Sequence, residues 1–90
     1  MISIAMSYIN RRRLLIETLK SITRSAYKDY EVVIVDDVSD ESERIEDLSK
    51  DFPFMRVIRV EKEEKWYVSG SMPWNRAIAN SHGDIVIMLP

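Results

Sequence analysis

The 90-residue chain has no cysteine, two glycines, three prolines and one histidine, and its longest apolar run is the six residues from Ile85 to Pro90. Each scarcity removes a class of protein. Without cysteine there are no disulfides and no thiolate metal sites, and the expectation is an intracellular, cytoplasmic protein. With so few glycines, no GxGxxG and no GxxxxGK[ST] occurs, which excludes the dinucleotide and P-loop phosphate cradles. A run of six apolar residues falls far short of the ~20 that span a bilayer, so no transmembrane segment is expected. Met1 leads straight into a strand-like pattern with no basic region ahead of it, so no secretory signal is read. The single histidine, His82, supplies neither a Ser/His/Asp set nor metal-ligand spacing. It falls at the end of a helical segment and reads as a helix-end or surface residue.

The remaining composition is that of one globular domain spanning residues 1–90. Apolar residues make up 46% and charged residues 31% of the chain, and at this length roughly 60–65% of the unfolded surface is buried on folding. A net charge of -2 argues against a nucleic-acid partner. That balance hides a separation. Met1 to Lys28 holds six basic residues and one acid, Glu17, whereas Asp36 to Asp51 holds eight acids and two bases. Solvated helix faces account for such runs, and so does a ligand site of one sign.

Ile2, Ile4, Met6 and Tyr8 alternate with small residues in the period of a strand. Asn10 fits an N-cap, followed by a helix with Leu15, Leu19, Ile22 and Ala26 on one face. The helix dipole disfavours Arg11, Arg12 and Arg13 in the first turn, so something other than helix stability holds them there. Glu31 to Val35 is a β-branched run typical of a buried parallel strand, ending in Asp36-Asp37. Asp40-x-x-Glu43 resembles a capping box opening a second helix with Ile45, Leu48 and Phe52 inside and Pro53 as its stop. Met55 to Val60 is a third strand, Glu61 to Lys65 a charged loop, and Trp66 to Met72 an aromatic and small stretch. Pro73 fits the first turn of a further helix, with Ala77, Ile78 and Ser81 inside and Gly83 at its C-terminal stop. Asp84 then opens a strand from Ile85 to Leu89.

Strands alternating with helices imply a Rossmann-like three-layer α/β/α fold with a four-stranded parallel sheet, order 3-2-1-4. Ligands in such sheets bind beyond the carboxyl ends of the strands, at the switch between the first and fourth. That rule selects Ser7 to Asn10, Asp36 to Ser39, the chain from Glu61 and whatever follows Leu89. Two adjacent carboxylates at a strand end cannot share one face of the pleat. One is expected to cap the loop or the next helix and the other to enter the crevice, where a carboxylate suits a ring N–H or ribose hydroxyls. Turn and cap chemistry explains the pair equally well.

Three segments in register carry a family resemblance. Ile2 to Ile22 resembles the opening of family 2 glycosyltransferases, a strand ending in Thr-Tyr-Asn and then a helix with Leu-x-x-Thr-Leu-x-Ser-Leu. Tyr30 to Ser39 resembles their second strand, which ends in Asp-Asp-Gly-Ser. Pro73 to Leu89 is similar to their Ala-Arg-Asn-x-Gly segment, followed by Gly-Asp and an apolar strand. The resemblance implies a truncated GT-A domain, the N-terminal half that binds a UDP- or GDP-sugar donated to a hydroxyl acceptor. It implies Asp37 on the base, Asp36 as its ribose-side or structural neighbour, Ser7 and Ile9 lining the base pocket, and Asn75 in the segment whose loop covers the nucleotide. Arg11 to Arg13 would flank the same crevice, either attracting a diphosphate or standing as surface arginines.

The departures define the rest. Ile9 replaces a stacking tyrosine, Val38 the glycine after Asp-Asp, Trp74 an arginine and Ala77 a glycine. Pro90 stands where the family's metal-binding Asp-x-Asp begins. No cofactor is therefore expected within these residues, Mg²⁺ or Mn²⁺ only where a metal motif follows residue 90, and no catalytic residue. The alternative to a donor-binding half is a degenerate, non-catalytic glycosyltransferase-fold module. A receiver-like signalling domain needs a lysine after the last strand, which is absent. The apolar strand Ile85 to Leu89, left at a sheet edge, is expected to favour self-association.

Overall fold

The computed structural model describes residues 1–25, 28–60 and 71–89. Four strands, β1 (Ile2–Tyr8), β2 (Tyr30–Asp37), β3 (Met55–Val60) and β4 (Ile85–Leu89), form one parallel sheet in the order β3-β2-β1-β4. This is the expected α/β topology. The register sets Tyr8 beside Asp36 and Asp36 beside Arg59, so the carboxyl ends of three strands finish level. Helix α1 (Arg12–Thr23) covers one face and α2 (Ser71–Ala79) packs on the other, against β1 and β2. No helix among the described residues is long and apolar enough to cross a membrane.

Strand alternation divides the core in two. Met6, Tyr8, Val32 and Ile34 meet Leu15 and Leu19 of α1 together with Ile45, Leu48 and Phe52. Ala5, Val33, Val35 and Val60 meet Ala77 of α2 on the other side. β2 is buried on both faces, as its β-branched run requires. β4 is the contrast. Ile85, Val86, Ile87 and Met88 remain 39–58% exposed, although β4 is fully paired along β1.

Several local expectations give way to longer-range contacts. The segment after Asp40 is no α-helix but two 3₁₀ turns, Glu41–Glu43 and Glu46–Lys50, with Arg44 extended between them. A continuous α-helix would direct the carbonyls of Glu43 and Arg44 to amides four residues on. Here the Tyr8 hydroxyl donates to the Glu43 carbonyl at 2.6 Å and Arg12 Nη1 to the Arg44 carbonyl at 2.6 Å. Ile45, Leu48 and Phe52 still face the core. Arg11, not Asn10, occupies the N-cap of α1 and makes no side-chain cap. Instead the Glu43 carboxylate, expected in a local capping box, accepts the Arg12 amide at 3.1 Å, placing negative charge at the positive end of α1.

α2 stops at Ala79, four residues before Gly83. Its last carbonyls are met by the Asn80 amide and side chain on Arg76 and the Ser81 hydroxyl on Ala77. Ala77 is buried as expected, but Ile78 is exposed. Ala26, the charged loop from Glu61 and the stretch from Trp66 to Gly70 lie outside the described residues. Gly83 serves close approach: a Cβ there would sit 2.7 Å from the Met1 carbonyl and from the Ser3 nitrogen.

Gly83 belongs to a hydrogen-bonded cluster at the amino ends of the strands. Its amide donates to Ser3 Oγ at 2.7 Å, and Ser3 Oγ donates to Glu31 Oε2 at 2.5 Å. The His82 amide reaches the same oxygen at 2.6 Å, and Arg56 Nη2 pairs with Glu31 Oε1 at 2.9 Å. Burial alone would raise the Glu31 pKa. The Ser3, His82 and Arg56 hydrogen bonds outweigh it and bring it from 4.5 to about 2.

Two outcomes follow for stability. Gly83→Ala is expected to cost about 2–3 kcal/mol, read as a lower urea midpoint, because backbone atoms cannot yield to the new methyl. The Glu31 contribution is present above the unfolded pKa and lost as pH falls through the folded one. Stability should therefore drop by on the order of 3 kcal/mol between about pH 5 and pH 2 through this group. Glu31→Gln should be less stable near neutrality and lack that part of the acid slope in denaturation series.

Candidate functional site

The carboxyl ends of β1 and β2 each run into a loop, and the loops are joined by hydrogen bonds. The Asn10 amide donates to Ser39 Oγ at 3.0 Å, and the Asp40 amide donates to Asn10 Oδ1 at 2.7 Å. Ser39 in turn donates its amide to Asp36 Oδ1 at 3.0 Å. Each loop carries a residue in the left-handed region, Asn10 at φ 47° and Val38 at φ 61°. Asparagine tolerates that conformation; a β-branched residue is strained there. Val38 holds the place where the resemblance has glycine, and the backbone explains the glycine. Reversal at Val38 lets Ser39 fold back on Asp36 and meet Asn10.

Asp36 and Asp37 separate as strand alternation requires. Asp36 points to the α1 side and is completely buried. Its Oδ2 lies 2.8 Å from Arg59 Nη2, an ionic contact not aligned as a hydrogen bond. Asp36 is thus engaged by Arg59 and by the Ser39 amide. Asp37 is half-buried on the opposite face, the face of Ser7 and of Val35, which pairs with Ser7. Ser7 is half-buried and Ile9 exposed, and both line a cavity of about 340 Å³ between the end of β1 and α1, with Tyr8, Arg11 and Leu14. Neither aspartate lines it. Asn75 is exposed, two residues from the buried Ala77 and so on the side of α2 turned from the sheet. The fold thus aligns Ser7 and Asp37 on one face, sets Ile9 at the rim, withdraws Asp36 and turns Asn75 outward.

The three arginines divide in the same way. Arg12 forms a two-pronged pair with Asp47, at 2.8 and 2.7 Å, which draws the Arg12 pKa up and the Asp47 pKa down. This pair, with the Arg44 carbonyl, is what holds a basic residue in the first turn. Arg11 and Arg13 are exposed on an open concavity of about 600 Å³ that also includes Asn10, Glu17 and Glu43. Sequence reasoning gave no part to Arg59, and it placed Ser39 and Asn10 at the crevice without the hydrogen bonds that join their loops. Two arginines three apart within a six-residue strand, beside a strand with Glu31 near its start and two aspartates at its end, were the available signal.

A parallel sheet ordered 3-2-1-4, with a split aspartate pair and two clasped loops beyond its carboxyl edge, defines a Rossmann-like α/β domain of the GT-A kind. Residues 3–89 match the family described as Glycosyl transferase family 2, and the chain belongs to that family. No curated protein matches the chain. Among the described residues, no three aspartate, glutamate or histidine side chains converge.

The strain at Val38 has a measurable signature. Val38→Gly should cost under about 1 kcal/mol, since relief of the left-handed penalty offsets lost packing. Val33→Gly, at a fully buried valine on the same face, should cost on the order of 3 kcal/mol or more. Urea denaturation of the two variants reads the difference directly.

Proposed function

We propose that this chain is the donor-binding half of a glycosyltransferase, taking a UDP- or GDP-linked sugar at the carboxyl edge of β1 and β2. The observation that carries the reading is the division of labour between the two aspartates. Asp36 is held by Arg59 and Ser39 in the interior, while Asp37, the last residue of β2, lies on the face shared with Ser7, next to a loop fixed by hydrogen bonds. A carboxylate on a preorganised strand end accepts the ring N–H of uracil or guanine without first losing conformational freedom. Ser7 adds a hydroxyl on the same face and Ile9 an aliphatic rim in place of a stacking ring. Arg11 and Arg13 supply positive potential beside the crevice, which raises the rate of encounter with a diphosphate.

The residues described here bind and orient a donor. Donor binding and orientation are the roles proposed for them, and sugar transfer is not. Titration calorimetry with UDP, GDP and their sugars tests the reading. Asp37→Ala should weaken binding by about tenfold or more, the loss expected for a charge-assisted hydrogen bond. Mn²⁺ should leave the affinity of this chain unchanged, and added salt should lower it. Unaltered binding in Asp37→Ala would remove that residue from the site.

A further inference from the structure

Asp36 is a buried carboxylate that donor recognition leaves out, and its partner Arg59 reaches further than a simple ion pair. Arg59 is 13% exposed. It faces Asp36 across the β2–β3 register. The same guanidinium sends Nε to Glu46 Oε2 at 2.6 Å and Nη2 to Glu46 Oε1 at 2.5 Å. One side chain of β3 therefore ties the end of β2 to the second 3₁₀ turn, on the face opposite Asp37. Glu46 holds the Arg59 pKa above its ordinary value, and Arg59 lowers that of Glu46.

The connection continues into the loop. A carboxylate buried without an opposite charge is strongly disfavoured, so Arg59 is what permits Asp36 to occupy the interior. With Asp36 in place, Oδ1 accepts the Ser39 amide, and that contact closes the turn through Val38. Ser39 Oγ then accepts the Asn10 amide. Asp37 stands between Asp36 and Val38, so its backbone direction is fixed from both sides. Arginine suits this role because its planar fork spans two carboxylates at once, which a lysine ammonium does not.

We infer that Arg59 is a positioning residue for nucleotide recognition: acting through Asp36, it fixes the strand end that presents Asp37, and this rests on the donor-binding reading above. Arg59 does not touch the nucleotide. Its effect is on how often the loop between Val38 and Asp40 occupies the binding geometry.

Arg59→Lys in the full chain tests this, with UDP and GDP titration alongside amide exchange of Ser39 and Asp40. The expected result is a roughly tenfold faster exchange at these two amides and a roughly fivefold weaker nucleotide affinity. Arg56→Ala, which breaks the Glu31 pair at the far end of the sheet, should lower the melting temperature and leave affinity unchanged. Should Arg59→Lys fail to fold, Glu46→Gln loosens the other side of the guanidinium and should give the same pattern at about two- to threefold. Lower thermal stability with unchanged exchange and unchanged affinity in these variants would overturn the inference while leaving donor binding intact. A wild-type chain that binds neither nucleotide overturns donor binding, and with it the role of Arg59 in recognition.

Discussion

The Glu31 carboxylate is the point on which the sheet depends. It sits 11% exposed at the start of β2. Its oxygens are met by Ser3 of β1, Arg56 of β3 and the amide of His82 ahead of β4. Every strand thus meets one anion, directly or through the turn that leads into it. Only the assembled sheet satisfies that anion, because any three of the segments leave a buried charge partly unpaired. Gly83 completes the arrangement by allowing the turn before β4 to lie against Met1 and Ser3. Contacts so distant in sequence make the domain's order an all-or-none property.

The opposite end of the sheet solves a different problem. Loops that follow parallel strands have no ladder to hold them, and here side chains replace it. Asn10 donates to Ser39 and accepts from Asp40 between the first two loops, Tyr8 and Arg12 take the carbonyls of Glu43 and Arg44, and Glu43 returns its carboxylate to α1. The acidic segment after Asp36 and the basic segment around Arg12 are thereby fitted to each other. Part of the charge separation in the sequence, the Arg12–Asp47 pair, is internal complementarity. Arg11 and Arg13 remain exposed.

How far the sequence revealed this follows from the range of each interaction. The strands were legible because alternation and β-branched runs are local, and the order 3-2-1-4 because right-handed crossovers leave few alternatives. The second helix was not, because Tyr8 and Arg12, more than thirty residues away, claim the carbonyls it needed. The Asp36-Asp37 pair shows the limit within a single motif. Strand alternation required the two to diverge, but which one turned inward depended on Arg59, a residue unremarkable in its own segment. Val38 shows the converse. The glycine of the resemblance is absent, yet the left-handed turn persists, because Ser39, Asp36 and Asn10 hold it with hydrogen bonds.

The exposure of β4 sets a polarity for the crevice. Both helical layers lie over β1 and β2, and the described elements leave β4 open to water on each face. The carboxyl edge therefore has a dry flank, beside β2 and α2, and a wet flank, beside β4. Electrostatic contacts on the dry flank are strong and on the wet flank weak, because the dielectric differs between them. A charged side chain placed on β4 would therefore be held less tightly than Arg59 is beside Asp36.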